Sequence, residues 1–559
     1  MNILPKAILF DWDECLVTQG NLIRDVSEKC LKNNLSASDY QKHCHEELIT
    51  GKSMKHVFPD LFGRERWLDV QEEFYRIFKA DHLKVIKLLP GAEQICQFVA
   101  RHFPVVGIVS NKRSDLLQEE VAYLNLNSYF HVTIGSGDAE RDKPFADPIH
   151  LALKGLGVHW DQNSGYGSQV LFVGDRLTDL RASQAAKCRF CYVGNEAESL
   201  LKHDSNILYF NHLDQLRSFL ASLKLRWDLG WGHGRKVKEF GEMSRRRYER
   251  YQSDSGESIM LMDASEQPSS ISPFIKICHH LDNLGYSVPK ILGEDRENNL
   301  LIIEDFGDGS FASLISKDPH RHLDFLQLAV DFLIDLHQRP LAESAPEDKI
   351  SLYEDTSYVV KADLFWQWYR PDMKRELSEE SIKEYQDIWR NLLQIARLVP
   401  ETLVLRDFSC RNLFFLPLRL GVRQCGLIDF QDAVRGPVTE DLLSILTSTR
   451  VPLKQKYREM MIARYLDAFP HLLRSQFRDS WTVLLAHRYM RIIGLYSHAV
   501  TVHGNTAVGK FLPSTYQEAM KVLENPLLDS LRSWVKAHMP DSFLPLKSVS
   551  DLVVSPKNC

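Results

Sequence analysis

The sequence predicts a two-domain protein of the α/β class, in which a parallel sheet with helices is followed by an α+β domain. In the first part of the chain, short apolar runs that end in acidic residues alternate with helical patterns, which is typical of a parallel sheet. In the second part, apolar runs joined by turns precede a long series of helical patterns. A chain of 559 residues is also too long for one hydrophobic core.

The composition excludes several classes of function. A content of 44% apolar and 25% charged residues is that of a soluble globular protein, and a net charge of -6 does not attract nucleic acid or an anionic membrane. No apolar run approaches the roughly 20 residues that span a bilayer, and the first strand meets Asp11 too early for a signal peptide. The 10 cysteines lack even spacing, which predicts reduced thiols. We therefore expect a cytoplasmic protein without nucleic-acid or membrane partners.

The first candidate site begins where the strand Lys6–Phe10 meets Asp11 and Asp13. Open α/β sheets build their sites at the carboxyl ends of the strands. At this position Asp11 can attack phosphorus as a nucleophile, while Asp13 protonates the leaving oxygen and later activates water. An Asp-x-Asp pair alone also occurs in many solvated loops, so the prediction depends on residues further along the chain.

Three later stretches support this site. After a helical insert between about Leu22 and Leu88, an apolar strand ends in Ser110, whose hydroxyl can bind phosphoryl oxygens. A simple strand-end turn explains Ser110 equally well. Lys143 can neutralise the excess negative charge of a site that holds acids and a phosphate. A helix that begins near Asp175 places Asp175 and Asp179 on one face, where they can bind a shared magnesium ion.

These four pieces, in this order, resemble the haloacid dehalogenase-like phosphatases, particularly the phosphoglycolate phosphatase-like branch with a helical cap. The resemblance covers roughly residues 1–222, with the cap at about 18–88. It implies a Rossmann-like parallel sheet and a phosphomonoesterase with an aspartyl-phosphate mechanism. It also implies Mg²⁺ held by Asp11, Asp13, Asp175 and Asp179.

The second candidate site lies between Leu403 and Asp441. Metal-assisted transfer from ATP requires a carboxylate to take the proton of the acceptor hydroxyl, plus an amide and a second carboxylate to hold magnesium. Asp407, Asn412 and Asp429 fit these three roles, because two strands joined near Gly421 would bring Asn412 and Asp429 together. For any one of these residues alone, an ordinary hairpin with exposed acids is the better account.

The segments "RDFSCRNL" and "GLIDFQDAVRGPVTEDLLSIL" resemble the aminoglycoside phosphotransferase-like kinases, and among them the anomeric kinases of N-acetylmuramic acid and N-acetylglucosamine. The resemblance covers about Phe240 to Tyr496 and implies a bilobal protein-kinase-like α+β domain that uses ATP and Mg²⁺. Backbone groups around Glu304 to Phe306 would hydrogen-bond the adenine. The candidates to hold the nucleotide phosphates are Ser244, Arg245 and Arg246, although a solvated basic turn is an almost equal alternative there.

Several positions depart from these family patterns. The kinase family has a histidine two residues before the catalytic aspartate, where this chain has Leu405. Protein kinases carry a lysine where this chain has Met262 and Asp263, although the anomeric sugar kinases show a similar Met-Asp pattern. In the phosphatase family, threonine or serine usually stands at the position of Cys15, and glycine at that of Glu14.

The predicted organisation is therefore a phosphatase domain at 1–222, a linker at 223–236, a kinase domain at 237–540 and a tail at 541–559. The two activities would waste ATP if they acted on the same oxygen. The resemblances imply that N-acetylmuramate 6-phosphate is converted to N-acetylmuramate and then to its 1-phosphate, in amino-sugar (peptidoglycan) salvage. The partners would then be small-molecule sugars and sugar phosphates.

An alternative is an active phosphatase with a catalytically silent kinase-like module that binds a ligand or regulates the phosphatase. Leu405 and the missing lysine favour this alternative, whereas the intact Asp407, Asn412 and Asp429 oppose it.

Overall fold

The computed structural model describes residues 3–36, 54–161, 163–194, 207–240, 246–346, 348–368 and 377–539. The tail predicted at 541–559 lies outside these residues. The chain forms two compact units. The first unit comprises Met1–Glu266 and Leu292–Ile302, and the second comprises Gln267–Ile291 and Ile303–Cys559.

A six-stranded parallel sheet forms the centre of the first unit, with strand order β5-β4-β1-β6-β7-β8. Strand β1 lies between β4 and β6, and its residues are buried because helices cover both faces of such a sheet. A separate small ribbon pairs β2 with β3. The strands are β1 Ala7–Phe10, β2 Val17–Thr18, β3 Lys87–Leu88, β4 Val105–Arg113, β5 Val132–Ser136, β6 Gly167–Gly174, β7 Cys188–Val193 and β8 Leu208–Phe210. The predicted parallel sheet is confirmed.

Helices accompany this sheet and occupy most of the described part of the predicted insert. Helix α3 turns Val70, Phe74, Phe78 and His82 inward, because every fourth residue lies on one face. The helices are α1 Leu22–Asn34, α2 Met54–Phe62, α3 Trp67–Val85, α4 Ala92–His102, α5 Ser114–Tyr123, α6 Asp147–Leu153, α7 Leu177–Ala185 and α8 Leu213–Asp228. Since α8 continues to Asp228 and buries Leu223 and Arg226, the beginning of the predicted linker 223–236 is helical.

A five-stranded sheet with order β12-β13-β11-β10-β9 comes next. Strands β9, β10 and β11 are antiparallel, and a turn at Ser253 to Gly256 joins β10 to β11. The side chains of Tyr251 and Ile259 share one hydrophobic core with Phe10 of β1, so this sheet packs within the first unit. The domain boundaries inferred from the motifs therefore stay a prediction. The strands are β9 Arg235–Phe240, β10 Arg247–Gln252, β11 Ser258–Asp263, β12 Ile291–Asp295 and β13 Leu300–Glu304.

The second unit is mainly helical. Its core includes Trp389 and Met490, and the 30-residue helix α17 packs against α13, α14, α15 and α19. The helices are α9 Ile271–Asn283, α10 Phe311–Lys317, α11 His322–Gln338, α12 Leu341–Ser344, α13 Asp355–Trp368, α14 Glu379–Ala396, α15 Thr439–Leu446, α16 Gln455–Ala468, α17 Arg474–His503, α18 Thr506–Gly509, α19 Leu512–Val522 and α20 Asp529–His538.

Two short antiparallel ribbons complete the second unit, one pairing β14 with β17 and the other pairing β15 with β16. These strands are β14 Glu401–Val404, β15 Leu413–Phe415, β16 Cys425–Leu427 and β17 Val434–Pro437. An antiparallel sheet followed by helices agrees with the predicted α+β class of the second part. None of the described helices combines the length and the apolar character needed to cross a membrane.

Candidate functional sites

Three acids of the first unit come together at the carboxyl edge of the parallel sheet. Each of Asp11, Asp175 and Asp179 offers a carboxylate oxygen, and these oxygens all lie within 4.8 Å of one another. Strands β1 and β6 are parallel neighbours, so Asp11 and Asp175, which come directly after them, meet at the same edge. Asp179 lies in the first turn of α7. Gly174 permits this approach, because a Cβ atom there would lie 2.6 Å from Asp179 Oδ2.

Lys143 supplies the cation of this cluster. Its Nζ lies 2.7 Å from Asp11 Oδ1 and 2.7 Å from Asp179 Oδ1, and its side chain is buried. Burial alone would lower the pKa of Lys143, but the two carboxylates outweigh burial and raise it, so the ammonium stays charged. The side-chain amide of Asn111 fixes the lysine, because it accepts from Lys143 N at 3.0 Å and donates to Lys143 O at 2.9 Å.

The remaining negative charge of the cluster fits a divalent cation. Burial, and then the neighbouring Asp11, raises the pKa of Asp179 to about 6 and that of Asp175 well above its usual range. Asp175 Oδ1 is buried and has no hydrogen-bond partner in the described part of the chain. Crowded carboxylate oxygens are the donors that Mg²⁺ prefers. Asp11, Asp175 and Asp179 would hold such an ion.

The carboxylate of Asp13, also predicted as a metal ligand, is not part of this group of three among the described residues. Its Oδ1 lies 2.7 Å from Lys112 Nζ. Burial raises the pKa of Asp13, Lys112 opposes this effect, and Glu120 adds to it. A raised pKa favours the protonated carboxyl, which is the form that the predicted proton donor needs.

The sequence interpretation missed Lys112 and Glu120. Lys112 Nζ lies 2.7 Å from Glu120 Oε2 as well as contacting Asp13, and the side chain of Glu120 is fully buried. Glu120 also contacts Trp12 Nε1 at 2.8 Å, Gln19 Nε2 at 2.6 Å and His82 Nδ1 at 2.9 Å. We call the side chains of Trp12, Asp13, Gln19, His82, Lys112 and Glu120 the Glu120 network. The position of Lys112 directly after the strand-end Ser110 and Asn111 was the only signal in the sequence.

Ser110 is buried next to this network, at 4% exposure. Its Oγ accepts a hydrogen bond from Lys112 N at 3.2 Å, a contact that the strand-end-turn alternative also explains. The role of Ser110 in phosphoryl binding stays a prediction. The two departures from the phosphatase pattern have clear local consequences. Glu14 adopts a φ of 60°, the left-handed conformation that favours glycine, and burial raises the pKa of Cys15 so far that it stays a thiol.

The second acid group is built on the predicted hairpin. Strands β15 and β16 pair antiparallel with Leu413 opposite Leu427, which brings Asn412 and Asp429 to the same end. Asn412 Nδ2 lies 3.0 Å from the carbonyl oxygen of Asp407 and 3.4 Å from Asp429 Oδ2. The structure therefore brings the three predicted residues together.

The charge environment of Asp407 suits a proton acceptor. Loss of surrounding water, and then the charge of Asp429, raises the pKa of Asp407, while Arg491 and Arg406 oppose the rise. A carboxylate with a raised pKa takes a proton more readily. Arg406 and Asp429 have φ values of 69° and 61°, which are strained for residues other than glycine and are common where a site fixes the backbone.

Asp441 holds the loop that precedes Asp407. The kinase family has its histidine in this loop, at the position of Leu405. The buried carboxylate of Asp441 accepts hydrogen bonds from Leu405 N at 2.5 Å and from Arg406 N at 3.0 Å. Burial raises the pKa of Asp441 to about 7. The sequence interpretation assigned no role to Asp441, because the pairing of α15 with this loop spans 36 residues.

The predicted phosphate-binding turn is described only in part. Ser244 and Arg245 lie outside the described residues, and Arg246 is buried directly before β10. Asp263, at the position where protein kinases carry a lysine, accepts from Arg247 Nη2 at 2.6 Å. The strand pairing explains this contact, because Arg247 lies opposite Asp263.

In the segment predicted to bind adenine, the side chain of Glu304 is engaged within the protein. Arg419 Nη2 lies 2.6 Å from Glu304 Oε1, and Glu304 N donates to the carbonyl of Lys290 at 2.8 Å. The ring of Phe306 packs 6.0 Å from that of Phe414. Adenine contacts by backbone groups around Glu304 to Phe306 stay a prediction.

A cavity of about 310 Å³ opens at the second acid group. Its wall contains Asp407, Asn412 and Asp429, together with the basic side chains of Arg411, Arg450, Arg488 and Arg491. The polar wall and the volume are suited to a small polar molecule.

Comparison with known proteins finds a different family in each part of the chain. Residues 8–193 match the family model described as haloacid dehalogenase-like hydrolase, and residues 236–476 match the one described as phosphotransferase enzyme family. The chain is 26% identical over 274 residues to an N-acetylmuramate/N-acetylglucosamine kinase of Caulobacter vibrioides, covering 48% of this chain and 75% of that protein. A kinase of the same name from Pseudomonas putida is 28% identical over 283 residues, covering 48% and 79%.

The first part of the chain has relatives of a different kind. A phosphoglycolate phosphatase of Photorhabdus laumondii is 28% identical over 231 residues, covering 40% of this chain and 95% of that protein. The resemblances inferred from the sequence are thus confirmed in both parts. Residues 8–193 are therefore similar to haloacid dehalogenase-like hydrolases, and residues 236–476 are similar to the phosphotransferase enzyme family. These similarities support a phosphatase activity and a phosphotransferase activity in one chain.

Proposed function

We propose that the chain removes the phosphate of N-acetylmuramate 6-phosphate and then phosphorylates the freed N-acetylmuramate at its anomeric hydroxyl, with ATP as donor and Mg²⁺ at both sites. The observation that supports this most is the presence of two separate acid groups in one chain, one around Asp11 and one around Asp407. The names of the relatives support an amino sugar as substrate of the second group.

In the first reaction, Asp11 attacks phosphorus, so that a bond from its carboxylate to phosphorus forms while the bond to the sugar oxygen breaks. Asp13, whose pKa is raised, donates its proton to that leaving oxygen. Asp13 then takes a proton from the water that cleaves the aspartyl phosphate, which releases inorganic phosphate and restores Asp11. Lys143 offsets negative charge throughout, and Mg²⁺ held by the acid cluster would supply further neutralisation of the phosphoryl oxygens.

In the second reaction, Asp407 takes the proton of the anomeric hydroxyl as the sugar oxygen bonds to the γ-phosphorus of ATP and the bond to the ADP oxygen breaks. Asp441 keeps Asp407 in position by holding the two preceding backbone amides. Asn412 and Asp429 would hold Mg²⁺, which supplies charge neutralisation on the phosphates. The product is a sugar 1-phosphate.

Two substitutions in the full chain test this proposal. Asp11→Asn should abolish phosphate release from N-acetylmuramate 6-phosphate, and Asp407→Asn should abolish sugar-dependent ATP consumption. Each variant serves as the control for the other site. Phosphorus NMR spectroscopy of the product identifies the phosphorylated oxygen. Phosphate release that survives in Asp11→Asn, or equal ATP turnover by Asp407→Asn and the unsubstituted protein, would show that the assignment is wrong.

Within this proposal, the phosphatase occupies residues 1–222 and the kinase residues 237–540, and both act on small molecules in the cytoplasm. The second candidate, a silent kinase-like module, is favoured by Leu405 and by the missing lysine. The hydrogen bonds of Asp441 oppose it, because they hold the catalytic loop without the family's histidine. ATP turnover with N-acetylmuramate separates the two candidates.

A further inference from the structure

One face of α17 presents basic side chains to the cavity beside Asp407. Arg488, Ile492 and Tyr496 succeed one another at steps of four residues, and Arg491 lies beside them on the same face. All four line the cavity of about 310 Å³. Arg450 lines the same cavity, and its Nε donates to Tyr496 Oη at 3.1 Å.

In the part of the chain that the structure describes, two of these arginines form no salt bridge. Within the described residues, no salt bridge joins Arg488 or Arg491 to a carboxylate, although Glu440 interacts electrostatically with both. The Nε atoms of both are buried and have no hydrogen-bond partner in that part of the chain. The contact of Arg488 is with a neutral group, since its Nη2 donates to the carbonyl of Ser444 at 3.3 Å. Desolvated cations without an acidic partner are costly, so a ligand that supplies one would be bound favourably.

The electrostatics of the cavity support the same interpretation. Burial, and then the like charge of Arg491, lowers the pKa of Arg488 to about 10, although Glu440 and Asp407 act in the opposite direction. The guanidinium of Arg488 is thus buried beside a second positive charge. Asp407 is also needed as the proton acceptor for the sugar hydroxyl. The metal at Asn412 and Asp429 would neutralise part of the negative charge of the ATP phosphates. An anionic substituent on the acceptor would supply negative charge to Arg488 and Arg491.

We propose that Arg488 and Arg491 bind an anionic substituent of the acceptor sugar, so that the kinase selects an acidic amino sugar over a neutral one. This inference rests on the proposed function and deepens it. A guanidinium pairs with a carboxylate or a phosphate through two parallel hydrogen bonds. The carboxylate of the lactyl ether in N-acetylmuramate supplies such a group, and so does the phosphate of N-acetylglucosamine 6-phosphate. N-acetylglucosamine has none.

The test is kinase kinetics of the full chain with these three acceptors, all in the Asp11→Asn background so that no sugar phosphate is hydrolysed during the assay. We expect kcat/KM for N-acetylmuramate to exceed that for N-acetylglucosamine by at least about tenfold, which corresponds to about 1.4 kcal/mol. Arg491→Met should bring this ratio close to one, and Arg491→Lys should preserve part of it. Arg478→Met is the matched control, because Arg478 is exposed on the same helix and is absent from the cavity wall. It should leave the ratio unchanged.

Equal use of acidic and neutral acceptors, or a ratio that survives Arg491→Met, would overturn the inference. A preference for N-acetylmuramate identifies the anion as a carboxylate, and a stronger preference for the 6-phosphate sugar identifies it as a phosphate. Calorimetric titration of N-acetylmuramate and N-acetylglucosamine without ATP separates this inference from the proposed function. Binding that prefers N-acetylmuramate and depends on Arg491, with no phosphorylation of any sugar, would refute the kinase and sustain the inference. Turnover of acidic and neutral sugars without preference would sustain the kinase and refute the inference.

Discussion

Replacement of Glu120 with glutamine should destabilise the first unit by about 3–5 kcal/mol, the usual cost of breaking a buried ion pair. The carboxylate of Glu120 is fully buried and lies 2.7 Å from Lys112 Nζ. The substitution removes this negative charge and turns an amide donor toward side chains that already donate. Asp13 stays 2.7 Å from Lys112, so part of the compensation survives and the lower end of the range is expected.

The adjacent residue provides a matched control. Glu119 precedes Glu120 on α5, but its side chain is 38% exposed and lies 3.3 Å from the exposed Lys79. Exposed ion pairs contribute about 0–1 kcal/mol, so Glu119→Gln should cost less than about 1 kcal/mol. The two substitutions make the same chemical change at neighbouring positions. Burial and the contacts with Trp12, Gln19 and Lys112 distinguish them, while Glu119 Oε2 lies 3.8 Å from His82 Nε2.

The chain has two compact units, so bulk unfolding would mix two transitions. Hydrogen exchange followed by mass spectrometry in peptides that contain Ala7–Phe10 reports the opening of the first unit alone. A second readout is the pH dependence of phosphate release. Glu120 contributes to the raised pKa of Asp13, so Glu120→Gln should move the alkaline decline of the rate to lower pH. Equal exchange rates in the two variants, together with an unchanged pH profile, would refute the role given to Glu120.

Three further predictions concern other parts of the chain. Asp441→Asn should lower kinase turnover at least about tenfold, which corresponds to about 1.4 kcal/mol, because the loop before Asp407 loses a charged acceptor. Phosphate release by the same protein is the control. Normal kinase turnover would contradict the prediction. Burial lowers the pKa of His337 and of His487 to about 3. Their contribution to the free energy of unfolding is complete above pH 6.5, where both histidines are neutral in the folded and the unfolded chain. As the pH falls from 6.5 toward 3, only the unfolded chain takes up these protons, so the free energy of unfolding decreases by about 1.4 kcal/mol per pH unit for each histidine. Denaturant unfolding at pH 7 and pH 5, followed by hydrogen exchange in peptides of the second unit, measures this slope, which should decrease in His337→Gln. Lys143→Met should reduce phosphate release by about 100-fold or more, because Asp11 loses its neutralising cation. ATP turnover by the same variant should continue. A smaller loss of phosphate release would show that Lys143 is not required.

The sequence predicted the parts of both sites that local order controls. Asp11 and Asp175 each come directly after an apolar strand, and parallel strands end at one edge of their sheet, so their meeting could be inferred from order along the chain. Asn412 and Asp429 flank two strands joined by a short connection, and a hairpin brings its ends together. The departure at Glu14 was visible in the sequence, but its left-handed backbone was not.

By itself, the sequence determined that acids stand at strand ends in two parts of the chain, and with them the fold class and the chemistry of phosphoryl groups. Only the tertiary structure decided which groups hold those acids. Glu120 meets Trp12 across 108 residues and His82 across 38, and Asp441 reaches Leu405 across 36. Such contacts result from the packing of helices against distant strands and loops, which no local pattern records. Arg488 and Arg491 of α17 belong to the same class, because the lack of a hydrogen-bond partner for their Nε atoms within the described residues is a property of the packed structure.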